Sequence, residues 1–101
     1  MSYDVKVAPQ ARSQLLELHA WWVENRPAAA TLVVDEFERL EHLLADSPNT
    51  GSVFERRKGK DVRRLRLRGT PYHLYYVVDE GNQAVLIAAV WSAMRSKGPD
   101  I

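Results

Sequence analysis

Cysteine is absent from this chain of 101 residues, which excludes disulfides, thiolate metal sites and a cysteine nucleophile. No apolar run approaches the roughly 18 to 20 residues that span a bilayer, and the opening MSYDVKVAPQ has no apolar segment of signal-peptide length. A reducing cytoplasm is therefore the expected setting. A glycine-rich phosphate loop, a Gly-x-Ser-x-Gly elbow and a His-Glu-x-x-His pair are also missing, so nucleotide hydrolysis and ordinary hydrolase chemistry have no support. No internal repeat, low-complexity tract or linker interrupts the chain. With 46% hydrophobic residues it holds enough apolar surface for one modest core, and residues 1–101 read as a single domain.

What is present is a divided charge. Eight of the 14 Lys and Arg residues lie between Arg56 and Arg68, in the run RRKGKDVRRLRLR. From Met1 to Val53 four basic residues face eight acidic ones; from Phe54 to Ile101 ten basic residues face five acidic ones, giving −4 and +5 behind a net charge of +1. Such asymmetry points to an anionic partner for one face.

The hydrophobic pattern changes period along the chain. Tyr3, Val5 and Val7 alternate with Asp4 and Lys6, as in a short half-buried strand. Pro9 opens a helix whose buried stripe is Ala11, Leu15, Leu18 and Trp22, and Arg26-Pro27 breaks it. A second helix is expected from Pro27 or Ala28, with Ala30, Val33, Phe37, Leu40 and Leu44 facing inward, packed antiparallel on the first as a hairpin. Asp46 to Gly51 has turn chemistry, and a basic loop is expected to follow. From Asp61 the period becomes two, with Arg63, Leu65 and Leu67 on one face and Arg64, Arg66 and Arg68 on the other. Gly69-Thr70-Pro71 turns the chain into a strand over Tyr72–Val78; Glu80-Gly81-Asn82 turns it into another over Ala84–Trp91, apolar enough to be central in its sheet. The tail from Ser92 is expected to be irregular. The resulting fold class is α+β, in the order βααβββ, with a helical hairpin laid on a small, curved, mainly antiparallel sheet.

Individual residues carry competing readings. Arg64, Arg66 and Arg68 would project together at ~7 Å intervals, close to a backbone-phosphate spacing, with Tyr75 beside them to stack on a base. The alternative is a solvated strand face whose charges deter edge-to-edge pairing. His73 has the titration range of a general base, or is an exposed strand residue beside a turn. Tyr72, Leu74, Tyr76 and Val78 share a face that reads as core. Trp21 and Trp22 cannot both point inward; Trp22 lies on the buried stripe, leaving Trp21 exposed or in a binding groove. His19 and His42 lack a third ligand, so no metal site is expected, nor any cofactor.

Taken together, the amphipathic hairpin, Ser47-Pro48-Asn49-Thr50-Gly51, Val62-Arg63-Arg64-Leu65-Arg66-Leu67, Tyr72-His73-Leu74-Tyr75-Tyr76-Val77-Val78 and Val90-Trp91-Ser92-Ala93-Met94-Arg95 resemble, in order and spacing, the RelE/ParE superfamily of toxins from type II toxin-antitoxin modules. RelE-like members cleave messenger RNA in the ribosomal A site; ParE-like members are associated with poisoning DNA gyrase. The resemblance implies, for the first activity, catalytic roles for Arg64, Arg66, His73 and Arg95. Yet no Tyr, Phe or His follows Trp91, and Ser92 stands where some relatives place a histidine. That departure, the long hairpin and the Pro-x-x-Gly element favour the ParE-like branch, in which no catalytic residue is assigned.

The implied partners are a cognate antitoxin whose C-terminal segment folds as it wraps the toxin, DNA gyrase as target with the ribosome and its messenger as the alternative, and operator DNA reached through the antitoxin. No membrane partner is implied. Residues expected to meet target or antitoxin are Arg56, Arg57, Lys58, Lys60, Arg64, Arg66, Arg68, Tyr75, Trp21 and Arg95. Arg95 and the tail from Ser96 to Ile101 lie beyond the last strand, where mobility would permit insertion into a target. A non-toxic antitoxin-binding module with the same fold is a further alternative.

Overall fold

The computed structural model describes residues 2–95 and 97–101. It contains β1 (Asp4–Val7), α1 (Pro9–Asn25), a single 3-10 turn (Pro27–Ala29), α2 (Leu32–Asp46), β2 (Ser52–Arg57), β3 (Lys60–Arg66), β4 (Tyr72–Asp79) and β5 (Ala84–Ser92). The strands form one open sheet in the order β1-β5-β4-β3-β2, with β1 parallel to β5 and every other pair antiparallel. The α+β class and the order of elements are as the pattern predicts, with one strand more.

That extra strand is β2, where a basic loop is expected. Arg57 pairs with Lys60 across a two-residue turn in which Lys58 (φ 52°) and Gly59 (φ 77°) are both left-handed, the geometry that matches the twist of a hairpin. Its alternation is hidden in the sequence because a register shift falls between Val53 and Glu55 and because the strand lies at the sheet edge, where charge is the norm.

Pro9 occupies the first turn of α1, and Arg26, no longer helical, caps its end by donating its N–H to the Trp22 carbonyl. The second helix starts later than expected. Pro27–Ala29 makes a 3-10 turn, Thr31 leaves helical geometry at ψ 1°, and only Leu32 begins α2, since the chain must reverse direction before a new helix can pack antiparallel.

The main core lies between the hairpin and the sheet. Ala11, Trp22, Val33, Phe37, Leu40 and Leu44 from the helices meet Leu67, Tyr72, Leu74, Tyr76, Val85, Ile87 and Val90. Trp22 Nε1 donates to the Tyr72 hydroxyl at 3.0 Å, which satisfies both polar tips inside that core. Because β1 spans only Ala84 to Ile87 of β5, the Val90 N–H is left without a strand partner; Gln14 Oε1 of α1 accepts it at 2.9 Å. Gly51 sits where the chain passes closest to the core. Its N–H donates to the Tyr76 hydroxyl, its carbonyl accepts from Arg63, and an added Cβ would lie 2.6 Å from the Tyr76 oxygen and 2.8 Å from the Arg64 carbonyl.

A second, smaller cluster lies on the far face of the sheet: Val62, Tyr75 and Ala89, with Phe54, Val77, Trp91 and Ile101 packed against them. Residues 97–101 lie over it without regular structure. Pro99 is fully buried, Gly98 abuts the Phe54 ring, Asp100 O accepts from Gln10 Nε2 at 2.8 Å and Ile101 O accepts from Arg57 Nη1 at 3.3 Å. The tail is irregular, as expected, but its described part is docked rather than free to insert elsewhere. Ser96 lies outside the described residues.

Candidate functional site

The far face of the sheet gathers the cationic strand residues. Period two sends Arg64 and Arg66 to this side, where the register sets Arg64 opposite Tyr75, Arg66 opposite His73, and His73 opposite Trp91. Two of the arginines lie on aromatic rings. The Arg64 guanidinium is 4.8 Å from the Phe54 ring centroid, and Arg95 is 4.3 Å from that of Trp91. Arg66 Nε donates to the Thr70 carbonyl at 2.7 Å, which fixes the root of its guanidinium and leaves the rest available.

His73 is the titratable centre of the group. Burial pushes its pKa below the ordinary histidine value, and the charges of Arg64 and Arg66 push it further the same way. Its Nδ1 is buried without a hydrogen-bond partner. A neutral imidazole between two guanidiniums can accept a proton or a hydrogen bond from a ligand whose anionic groups the arginines hold. Arginine itself is a poor base.

Tyr75 does not have the stacking role expected of it. It is 2% exposed, its ring lies edge-on to Phe54 at 5.1 Å and to His73 at 6.0 Å, and the tail cluster covers it, so no open face remains for a base. Arg68 departs from the expected row as well. β3 ends at Arg66, and the Arg68 N–H donates to Glu36 Oε1 of α2 at 2.8 Å, which takes the residue toward the helices. Arg39, hydrogen-bonded to Glu36, and to a lesser degree Arg68 hold that carboxyl below its usual range.

The remaining candidates sit elsewhere. Arg56, Arg57, Lys58 and Lys60 ring the tip of the β2–β3 hairpin. Arg56 pairs with Asp61 at 3.0 Å and Arg57 grips Glu55 through two hydrogen bonds of 2.6 and 3.0 Å, so the two lysines carry most of the tip's free charge. Trp21 is on α1, 46% exposed, with Arg26 5.7 Å from its ring. Trp22 is buried beside it, as its place on the stripe predicts. The set thus falls into separate places: Arg64, Arg66 and His73 share the far face of the sheet, and Arg95 lies past the end of β5 on the Trp91 ring. Phe54 and Trp91 belong to that site as the surfaces under the arginines. The sequence singles out neither, and Phe54 becomes legible only once β2 is recognised as a strand. Among the described residues no group of three His, Asp or Glu side chains is placed to hold a metal ion, and no helix is long and apolar enough to cross a membrane.

Residues 5–96 match the family model described as ParE toxin of type II toxin-antitoxin system, parDE. The chain belongs to the ParE toxin family. Its fold is similar to that of a chain in the chromosomal ParDE TA system from P. aeruginosa, at a TM-score of 0.72 and 19% identity over 90% of this chain and 96% of that one. It is also similar to a chain of the archaeal RelE-RelB complex from Pyrococcus horikoshii OT3 (TM-score 0.65, 20% identity, 95% and 100% covered). A third likeness is to the toxin-antitoxin complex RelBE2 from Mycobacterium tuberculosis (TM-score 0.59, 24% identity, 91% and 99% covered). At these identities the likeness is one of fold. No curated protein matches the sequence. The family match runs through β5 and Arg95, so the docked segment 97–101 lies just beyond it.

Proposed function

We propose that this chain is the toxin of a type II toxin-antitoxin module, acting in the cytoplasm, that arrests growth by poisoning DNA gyrase and is neutralised by a cognate antitoxin. The ParE family match supports the toxin role, and the solved neighbours, themselves toxin-antitoxin assemblies, support an antitoxin partner. The observation that carries the choice of target is the composition of the far face. Arg64 and Arg66 act on one imidazole, Arg95 lies on the ring of Trp91 in the neighbouring strand, and the Tyr75 ring is buried, so the face is rich in anion-binding groups and poor in groups that transfer protons. Phosphodiester cleavage by a 2′-hydroxyl requires a base and an acid; anion binding does not. On this reading the arginines are a binding surface and no residue is catalytic.

One observation favours a second reading, a ribosome-dependent messenger endoribonuclease. Burial, and then the charges of Arg64 and Arg66, lower the His73 pKa and so favour the neutral imidazole that a general base requires. Pulse induction of the chain without antitoxin separates the two. The expected result is double-strand DNA breaks and an SOS response with messages intact, unchanged in kind by His73→Ala. A-site cleavage without breaks, abolished by His73→Ala, replaces the gyrase reading with the ribonuclease. Undisturbed growth of a well-expressed, folded chain overturns both and leaves an antitoxin-binding module with the toxin fold.

A further inference from the structure

The two helices of the hairpin differ on their outer faces. Every exposed position of α2 is polar: Asp35, Glu38, His42 and Asp46. On α1, opposite the inward stripe of Ala11, Leu15, Leu18 and Trp22, runs a second row made of Ser13, Leu16, Ala20 and Val23, spaced three, four and three, and all four residues are exposed. Leu16 is 60% and Val23 49% open to solvent. Both helices lie on the same face of one sheet, so packing within the chain accounts for the inward stripe of each and leaves the outer row of α1 without a role.

A row at this spacing is the seam of a two-helix coiled coil, in which flanking charges choose the partner and its direction. Glu17 and Glu24 lie along one side of the row, and Arg12 and His19 along the other, each pair seven residues apart and so in line along the helix. Arg12, Glu17 and Glu24 are exposed and His19 is half-buried. When two copies of α1 run parallel about a twofold axis, Arg12 of each meets Glu17 of the other, five residues on, and His19 meets Glu24 in the same way. Antiparallel copies instead set the glutamates against each other and Arg12 and His19 against their own kind. One helix thus carries both halves of a complementary pattern.

We infer that the outer face of α1 is a self-association surface on which a second copy of this chain docks through its own α1, the helices parallel, with Leu16, Ala20 and Val23 as the seam. Small Ala20 at its middle lets the two backbones approach. The inference is independent of the gyrase and ribonuclease readings, and the pair leaves the far face open, because α1 packs on the other side of the sheet from Arg64, Arg66 and His73. A contact of one helix per copy is smaller than the ~1,200 Å² at which stable complexes begin, so the pair forms reversibly as concentration rises.

Sedimentation velocity on the purified chain from ~10 μM to ~1 mM is the first test, and a rising dimer fraction is expected. Leu16→Ser should weaken association on the order of tenfold or more. Arg12→Glu alone and Glu17→Arg alone should each weaken it severalfold, and the two together in one chain should restore it, since every flanking pair is then reversed. Circular dichroism and melting confirm that the variants are folded. Because the chain has no cysteine, a single introduced thiol reports the geometry without background. Ala20 meets its own counterpart only in the parallel pair, so Ala20→Cys should oxidise to a covalent dimer on the order of ten times faster than Glu38→Cys on the polar face of α2. A chain that stays monomeric throughout, association unaffected by Leu16→Ser, or equal oxidation rates overturn the inference. Stronger association in either single charge variant overturns the parallel direction. A monomeric chain whose affinity for an antitoxin falls with Leu16→Ser overturns it too and gives the face to that partner.

Discussion

On the helix side of the sheet the buried residues come from both helices, from β4 and β5, and from Leu67 just past β3, and within the elements each position is set by the period of its own element: Ala11 and Trp22 on α1, Val33 to Leu44 on α2, Leu74 and Tyr76 on β4. On the far side, among the described residues, only Val62, Tyr75 and Ala89 are buried as a cluster, and part of their cover is the irregular stretch 97–101 with Phe54 from an edge strand. The first face is a layer against a layer, held by repeated apolar contact. The second is a cationic surface, part of which has been closed by a strap. The difference teaches that burial on one side makes the fold, whereas burial on the other sets which groups remain open beside Arg64, Arg66 and His73.

The largest way to break this comparison is to cut both cores. Leu40→Ala, on the helix side, should cost ~2–5 kcal/mol of stability, and Val62→Ala, on the far side, ~1–2 kcal/mol, both read from urea unfolding midpoints. Equal costs would mean that the strap side is as structural as the hairpin side. The two close-approach glycines sharpen the same contrast. Gly51→Ala drives a methyl into the Arg64 backbone carbonyl and the Tyr76 hydroxyl and should cost ~1–3 kcal/mol or more, since backbone cannot step aside. Gly98→Ala meets only the Phe54 ring, at 2.8 Å, which can move; stability should change by less than ~1 kcal/mol. Its effect should show instead in chemical shifts of Phe54 and Arg64, which lies on that ring.

The smallest expected effect is electrostatic and belongs to His73. Its folded pKa lies below the unfolded value, so the unfolded chain takes up the proton first as pH falls. The folded state is therefore favoured above the unfolded pKa, and this contribution is lost as pH drops from there toward the lower folded pKa. His73→Gln should flatten the slope of stability against pH in that window and leave it unchanged well above it. An unchanged slope would mean that neither burial nor the charges of Arg64 and Arg66 shift the imidazole.

Much of the fold is legible in the residues because periodicity records which side of an element is buried. Leu40 and Leu44 announce a helix face, and Leu65, Leu74 and Tyr76 announce strand faces, whatever they pack against. β2 escapes that rule, since Ser52–Arg57 is an edge strand with a register shift and its hairpin turn is Lys58-Gly59 rather than the stronger Asn-Gly or Asp-Gly signal. The site is legible in part: alternation puts Arg64, Arg66 and His73 on one face. It fails for Arg68, which follows the strand's end, and for Tyr75, whose cover comes from residues more than twenty positions away in sequence.

By itself, then, the sequence determined the α+β order, the helical hairpin, the division of charge into an acidic and a basic half, and the family resemblance. These depend on local period, turn chemistry and composition, which neighbouring residues carry. Only the tertiary structure decided that Phe54 and Trp91 lie under the arginines and that residues 97–101 close over Tyr75. Each of those depends on long-range contact and on the desolvation it brings, and neither quantity is written in any one stretch of the chain.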